Sequence, residues 1–194
     1  MSTNPNPAAA EIPAGGAVPA AVARFDQWFD QWFDHVLDHL RGNPVADRIF
    51  YTASGVGDWS MIWHLVGAVR AAIDPAELPS AARLSAMLGA ESLLVNQGVK
   101  RLFKRGRPAF EGTRPHRLRT PSTTSFPSGH ASAAFFAATV LSGEDPARAV
   151  LWYGLAATVA LSRPYVHIHH ASDMVGGAVI GYIIGRAARA LWST

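Results

Sequence analysis

Five apolar stretches recur along the 194-residue chain, and they limit its possible folds more than any other feature. They run over roughly 59–73, 81–99, 130–141, 149–161 and 174–184. Small residues dominate them, as in Ala131-Ser-Ala-Ala-Phe-Phe-Ala-Ala and Gly176-Gly-Ala-Val-Ile-Gly-Tyr-Ile-Ile-Gly. Two Gly-x-x-x-Gly steps, Gly177 to Gly181 and Gly181 to Gly185, suit helices that pack backbone against backbone, as membrane helices do. No stretch is a clean run of eighteen apolar residues, because Arg70, Glu91, Arg163 and Asp173 interrupt or border them. The pattern favours a helical bundle set in a membrane, although soluble bundles bury Ala-rich faces too.

Charge is scarce and unevenly placed. Only 16% of residues are charged, against roughly a quarter in soluble domains. Eight of the 17 basic residues fall between Lys100 and Arg119, a segment with one acid, Glu111, so the rest of the chain is net acidic. The segment 103–128 is rich in Pro, Arg, Ser and Thr and reads as a long loop, a kind of loop that usually carries function. The absence of Cys excludes disulfides, thiolate zinc sites, iron–sulfur clusters and cysteine nucleophiles. Residues 1–24, rich in Pro, Ala, Asn and Gly and with no basic or continuous apolar region, are expected to be a disordered leader and not a signal peptide. From Phe25 a four-residue repeat, FDQW FDQW FDHV LDHL, predicts an amphipathic helix over 25–40. Its aromatic and apolar residues share one side, and Asp26, Asp30, Asp34 and Asp38 the other. Such a helix suits either a membrane interface, where an acidic face fits anionic lipid poorly, or packing on the rest of the chain.

Three clusters carry the chemistry: Lys100 to Pro108, Pro127-Ser-Gly-His130, and Ser162 to Asp173. They supply separated cations, two histidines able to react and a carboxylate four residues after one of them. On a helix His169 and Asp173 would share a face, so that Asp173 fixes the tautomer of the ring and frees its other nitrogen as nucleophile or base. Ser128 and Gly129 open the helical segment that begins near His130, and a helix start of this kind holds anions through its N–H groups. Lys100, Arg107 and Arg163 would complete a cradle for a phosphoryl group. His167, His169 and His170 with one Asp match no catalytic zinc spacing, so no metal and no cofactor is expected.

The pattern K-x6-R-P, P-S-G-H, S-R-x5-H-x3-D, met at Lys100, Arg107 and Pro108, at Pro127 to His130 and at Ser162, Arg163, His169 and Asp173, resembles the signature of the type 2 phosphatidic acid phosphatase (PAP2) superfamily. That superfamily also includes bacterial class A acid phosphatases and vanadium haloperoxidases. The resemblance extends over most of the chain from about Pro44, taking in the Gly55-Val-Gly-Asp58 region. It implies an all-α, polytopic bundle of about five membrane spans after the N-terminal amphipathic helix, with residues 25–194 as one phosphatase domain in the cell membrane. It also implies metal-independent hydrolysis of a lipid phosphate or diphosphate. His169 would form a phosphohistidine, Asp173 would orient it and His130 would act as acid and then base, while Lys100, Arg107, Ser128, Gly129 and Arg163 would bind the phosphoryl oxygens. The substrate class ranges from polyprenyl phosphates and diphosphates, which lead, to phosphatidate-type lipids; nucleic acid is not an expected partner. The alternatives are a catalytically silent lipid-phosphate-binding protein and a vanadate-dependent haloperoxidase.

Overall fold

The computed structural model describes residues 20–110 and 113–192, so the leader expected over 1–24 lies outside the described residues up to residue 19, as does Glu111. The described residues form seven α-helices: α1 (Ala20–Asp38), α2 (Pro44–Gly57), α3 (Met61–Ile73), α4 (Leu78–Leu93), α5 (Gly129–Glu144), α6 (Ala149–Tyr165) and α7 (Ala171–Trp192). Each of the five apolar stretches becomes a helix, α3 to α7, and α2 is added between the repeat helix and the first of them. Helix α1 takes in residues 20–24 of the segment expected as leader. The chain reverses at Gly42, whose φ of +82° favours a residue without Cβ. Asn43 then caps α2, accepting from the backbone N–H groups of Val45 and Ala46 at 3.0 and 3.2 Å, with Pro44 at the first helical position.

Helix α5 is the centre of the bundle. Ala131, Ala134, Phe136, Ala137, Ala138 and Leu141 are all buried, on every side of the helix, as expected of an element surrounded by others. Helices α6 and α7 lie against it, with Trp152, Ala156 and Val159 of α6 and Trp63, Leu84 and Leu88 of α3 and α4 filling the rest of the core. The Ser132 hydroxyl donates to the buried carboxylate of Glu91, tying α5 to α4. The glycine ridge of α7 explains how closely α7 sits. A Cβ at Gly177 or Gly181 would collide with the carbonyl oxygens of Ser128 and Ser132, and one at Gly185 would lie 3.1 Å from that of Phe136.

Helix α4 does not stop cleanly. It passes through a wide π turn at Leu94–Gly98 and a 3₁₀ turn at Val99–Leu102, which leaves Lys100 buried. Such irregular turns often mark functional positions. The loop that follows, and the turn between α6 and α7, bring the three sequence clusters to the end of the bundle where α5 and α7 begin.

Helix α1 packs on the bundle through ion pairs of its acidic residues, of which Asp30 is largely buried. Arg105 donates to Asp26 (2.9 Å) and Asp30 (2.6 Å), and Arg41 to Asp34 (2.6 Å) and Asp38 (2.5 Å). The Nε and Nη2 of Arg41 also donate to the carbonyls of Tyr165 and Pro164, both at 2.9 Å, satisfying the last turn of α6. Among the described residues of α1, Leu37 is the buried apolar one, packed with Tyr165, Val166 and Ile168.

Among the described residues one helix is long and apolar enough to cross a membrane: α7, over Ala171–Leu191, with a mean hydropathy of 1.3. Helices α3, α5 and α6 have 13, 16 and 17 residues, short of the roughly 20 that a perpendicular crossing needs, so helix length alone supports one span where about five were expected.

Because a backbone carbonyl cannot swing aside as a side-chain tip can, Gly181→Val should lower stability by about 1–3 kcal/mol. Thermal unfolding of the purified protein in detergent checks this, with an unchanged midpoint contradicting the close approach.

Candidate functional site

Asp173, in the first turn of α7, is completely buried and collects donors from every part of the site. Its Oδ2 accepts from the Ser125 hydroxyl at 2.5 Å and from the His170 backbone N–H at 2.8 Å, and its Oδ1 from Arg105 Nη1 at 3.0 Å. The His169 Nδ1 lies 3.5 Å from Oδ2 and 3.4 Å from the Ser125 hydroxyl. The backbone carbonyl of Asp173 accepts from the N–H of Ser128 at 3.0 Å, which joins the second cluster to the third.

The partnership of His169 and Asp173 does not come from one helix face. His169 precedes α7, in a turn in which His167 takes φ +52° and the N–H groups of Ile168 and His169 both donate to the Arg163 carbonyl, at 3.0 and 3.3 Å. The turn folds the ring of His169 back over the start of α7. It sends the other two histidines toward α1, with His167 Nδ1 3.7 Å from Asp34 and His170 Nδ1 3.8 Å from Asp30.

On the far side of the ring, Arg107 Nη1 lies 3.1 Å from His169 Nε2. A guanidinium can only donate, so Nε2 presents a lone pair and the ring proton sits on Nδ1, facing Asp173 and Ser125. Burial holds the ring far below the usual histidine range, at about 3; the hydrogen bond to Asp173 opposes this and the charges of Arg163 and Arg107 add to it. The ring is therefore neutral at physiological pH, with its free nitrogen directed at a cation.

Three cations converge. Arg107 is fixed by the carbonyls of Ile168 (2.9 Å), Thr123 (3.1 Å) and Thr124 (3.3 Å). Lys100 Nζ lies 3.4 Å from the Thr123 hydroxyl and 3.5 Å from the Thr124 carbonyl. Burial, with Arg107 and Arg163 nearby, lowers the Lys100 ammonium to about 8. Arg163 is wholly buried: one Nη donates to the Ser54 hydroxyl, while its Nε and other Nη have no hydrogen-bond partner among the described residues. A buried donor left unpaired costs about 1–3 kcal/mol, more when charged, so this guanidinium is held ready for an acceptor. Arg163 is also within electrostatic reach of both His130 and His169.

Ser128 is buried and caps α5, its hydroxyl accepting from the Ala131 N–H at 3.4 Å. A Cβ at Gly129 would lie 2.8 Å from the Asn96 side-chain oxygen, so that side chain would have to shift. His130 follows in the first turn, its Nε2 3.1 Å from Asp58 Oδ1 and 3.3 Å from the Ser54 carbonyl, two acceptors that place a proton on that nitrogen. Burial raises Asp58, but the His130 ring 3.1 Å away and the charges of Arg163 and Arg119 outweigh this and hold the carboxyl below its ordinary range. All eight candidate residues thus gather around one end of the bundle. A cavity of about 240 Å³ reaches His169, walled on one side by Asp30, Phe33 and Asp34 of α1 and on the other by Pro108, Pro164 and His170. Among the described residues no group of three or more His, Asp or Glu side chains is placed to hold a metal ion.

Sequence reasoning missed Ser125, Arg105, Asp58, Ser54 and Thr123. Ser125 and Thr123 lie in the loop just before the second cluster, and Arg105 inside the first, where its guanidinium is indistinguishable by sequence from its basic neighbours. Asp58 falls within the Gly55-Val-Gly-Asp58 region of the resemblance but is given no role there; two consecutive left-handed residues, Trp59 and Ser60, follow it and turn the chain toward α3.

The described residues form an all-helical bundle in which a histidine is backed by a buried carboxylate and lies near three cations, an arrangement suited to an anion. Residues 80–194 match the PAP2 superfamily, and the chain belongs to that superfamily. It is similar to YbjG of Escherichia coli (strain K12), provisionally named an undecaprenyl-diphosphatase, with 34% identity over 109 residues, 53% of this chain and 52% of that protein. The chain thus spans about half the length of that relative. Its fold is that of the transmembrane PAP2-type phosphatidylglycerolphosphate phosphatase from Bacillus subtilis, with a TM-score of 0.64 at 20% identity, covering 90% of this chain and 87% of that one.

The ring chemistry is measurable without an assay. In ¹⁵N NMR of histidine-labelled protein, His169 should keep the neutral Nδ1–H form down to about pH 5, with the imidazolium appearing only as pH falls toward 3. A charged ring at pH 7 contradicts the assigned geometry.

Proposed function

We propose that this protein is a membrane-bound phosphatase that removes phosphate from a lipid phosphate or diphosphate without a metal ion. The observation that carries the reading is the neutral His169, whose Nε2 lone pair faces Arg107 while Nδ1 is backed by Asp173 and Ser125. A phosphoryl group seated among Lys100, Arg107 and Arg163 draws the Arg107 guanidinium onto its oxygens and frees Nε2 to attack phosphorus. As the N–P bond forms, the P–O bond to the leaving group breaks, and His130 in its protonated form gives that oxygen a proton. The positive charge that develops on His169 is balanced by Asp173. In the second step His130 takes a proton from water as the water oxygen attacks phosphorus, and the N–P bond breaks to release inorganic phosphate and the free ring. Asp58 faces the positive charge that His130 must carry before it donates.

The lipid character of the substrate draws support from both relatives: YbjG is named for an undecaprenyl diphosphate and the Bacillus protein for phosphatidylglycerolphosphate. The sequence identity to YbjG favours the polyprenyl class. A membrane location is supported by the transmembrane neighbour and by α7, and a multi-pass arrangement would require the shorter helices to cross with the help of tilted or irregular ends.

Purified protein in detergent should release phosphate from polyprenyl phosphates or diphosphates without added metal. His169→Ala should lower kcat by about a thousandfold or more and His130→Ala by about 10²–10⁴. Acid-labile ³²P on the wild type but not on His169→Ala marks the intermediate; full activity of His169→Ala overturns the nucleophile, and tight lipid binding with no turnover favours a silent binder.

Phosphate binding needs Lys100 charged, a state present below its lowered value and lost as pH rises through about 8. The kcat/KM profile, which reports the free enzyme, should therefore fall about tenfold per pH unit above that point. Lys100→Arg should move this alkaline limb upward.

A further inference from the structure

Helix α1 has three sides. The inner one carries Asp26, Asp30, Phe33, Asp34 and Leu37; a polar edge carries Arg24, Gln27, Gln31 and His35; the third carries Phe25, Trp28, Trp32 and Val36, exposed by 63%, 58%, 50% and 42%. The aromatic edge is continuous. The rings of Phe25 and Trp28 are 5.8 Å apart, and Trp28 stacks on Trp32 at 6.3 Å. An acidic helix would normally be repelled by an anionic lipid surface, but here all four Asp side chains are paired with Arg105 or Arg41, which offsets their charge, and Asp30 is turned into the protein. What α1 shows outward is a band of Trp and Phe beside a band of polar residues, the pattern of an element lying along a boundary between oil and water.

Its attachment fixes the level of that boundary. Asp30 accepts from the backbone N–H of Ser172 at 2.8 Å and from the Ser172 hydroxyl at 3.0 Å, so α1 is bonded to the first turn of α7. That turn is the end of the one described helix long and apolar enough to span a bilayer, Ala171–Leu191. A helix fastened at the end of a span lies where the span meets the headgroups. The cavity that reaches His169 is walled by the same helix.

Resting on the membrane reading above, we propose that the Phe25, Trp28 and Trp32 edge of α1 docks into the headgroup and upper acyl region of the bilayer, holding the site's cavity at the lipid surface. The occupant of this edge is lipid, because its residues are those that interfaces favour and its position is set by the end of α7.

The absence of Cys makes the test direct, since one introduced thiol can carry one nitroxide. The protein in phosphatidylcholine nanodiscs is labelled singly at Trp28→Cys, Gln27→Cys and, on the exposed side of α7, Ile183→Cys, and collision rates with oxygen and with a water-soluble nickel complex are measured by power-saturation electron resonance. The expected result is a several-fold preference for oxygen at positions 28 and 183 and for nickel at 27. Three outcomes overturn the proposal while position 183 remains lipid-exposed: nickel preference at 28, meaning water; low access of both colliders at 28, meaning cover by protein such as residues 1–19; or dipolar broadening at 28, meaning a second copy. Nickel preference at 183 instead overturns the membrane reading itself.

Discussion

A single buried carboxylate organises this molecule. Asp173 takes bonds from the loop after α4 through Arg105 and Ser125, aligns with His169, and through its own carbonyl secures Ser128 at the start of α5. A carboxylate with no access to water is tolerable only when its oxygens are paired, and removing one partner of such a set typically costs about 3–5 kcal/mol. The same satisfaction that makes Asp173 tolerable therefore forces three distant segments into one arrangement. Catalytic order and folding order are coupled here: the site cannot loosen without exposing the charge on which the end of the bundle is built.

The cationic loop divides its work along similar lines. Lys100 and Arg107 face the site, while their neighbours build the frame. Arg105 spans α1 and α7, Arg114 donates to the Val166 carbonyl at 2.6 Å and stacks on Phe110, and Arg119 lies 4.5 Å from the centre of the Trp59 ring, beside the turn that delivers Asp58. Part of what looks in composition like an excess of positive charge is thus long side chains used as struts, with Arg105 taking its counter-charges from Asp26 and Asp30 of α1 and from Asp173. Arginine suits this use because its planar fork can satisfy several acceptors at once.

Helices α3 to α7 were legible because each has an apolar run, and the three clusters that the structure gathers at one end of the bundle were legible through fixed spacings around Arg163, His169 and Ser128. The partners of those residues were not. Ser125 and Asp58 act through contacts that close loops of tens of residues, and no spacing encodes them. His169 and Asp173, expected to share a helix face, approach instead through the turn at His167 that precedes α7. The repeat of α1 showed that an amphipathic helix exists, but not that its acids would pair with Arg41 and Arg105 while Phe25, Trp28 and Trp32 stay exposed, because those arginines lie elsewhere in the chain.

The glycine ridge of α7 has a consequence for what variation this chain tolerates. Asp173 and Gly177 are four residues apart, so the turn that sets the carboxylate and the surface that seats α7 on Ser128 are one helical turn from each other. Each residue of an α-helix advances the chain by about 100°. One residue inserted between them would leave every motif intact by inspection, yet swing the ridge off α5 and replace a glycine contact with a side chain against a carbonyl. The distance between motif and ridge is thus a coded quantity in its own right, invisible to any reading that compares the motifs alone.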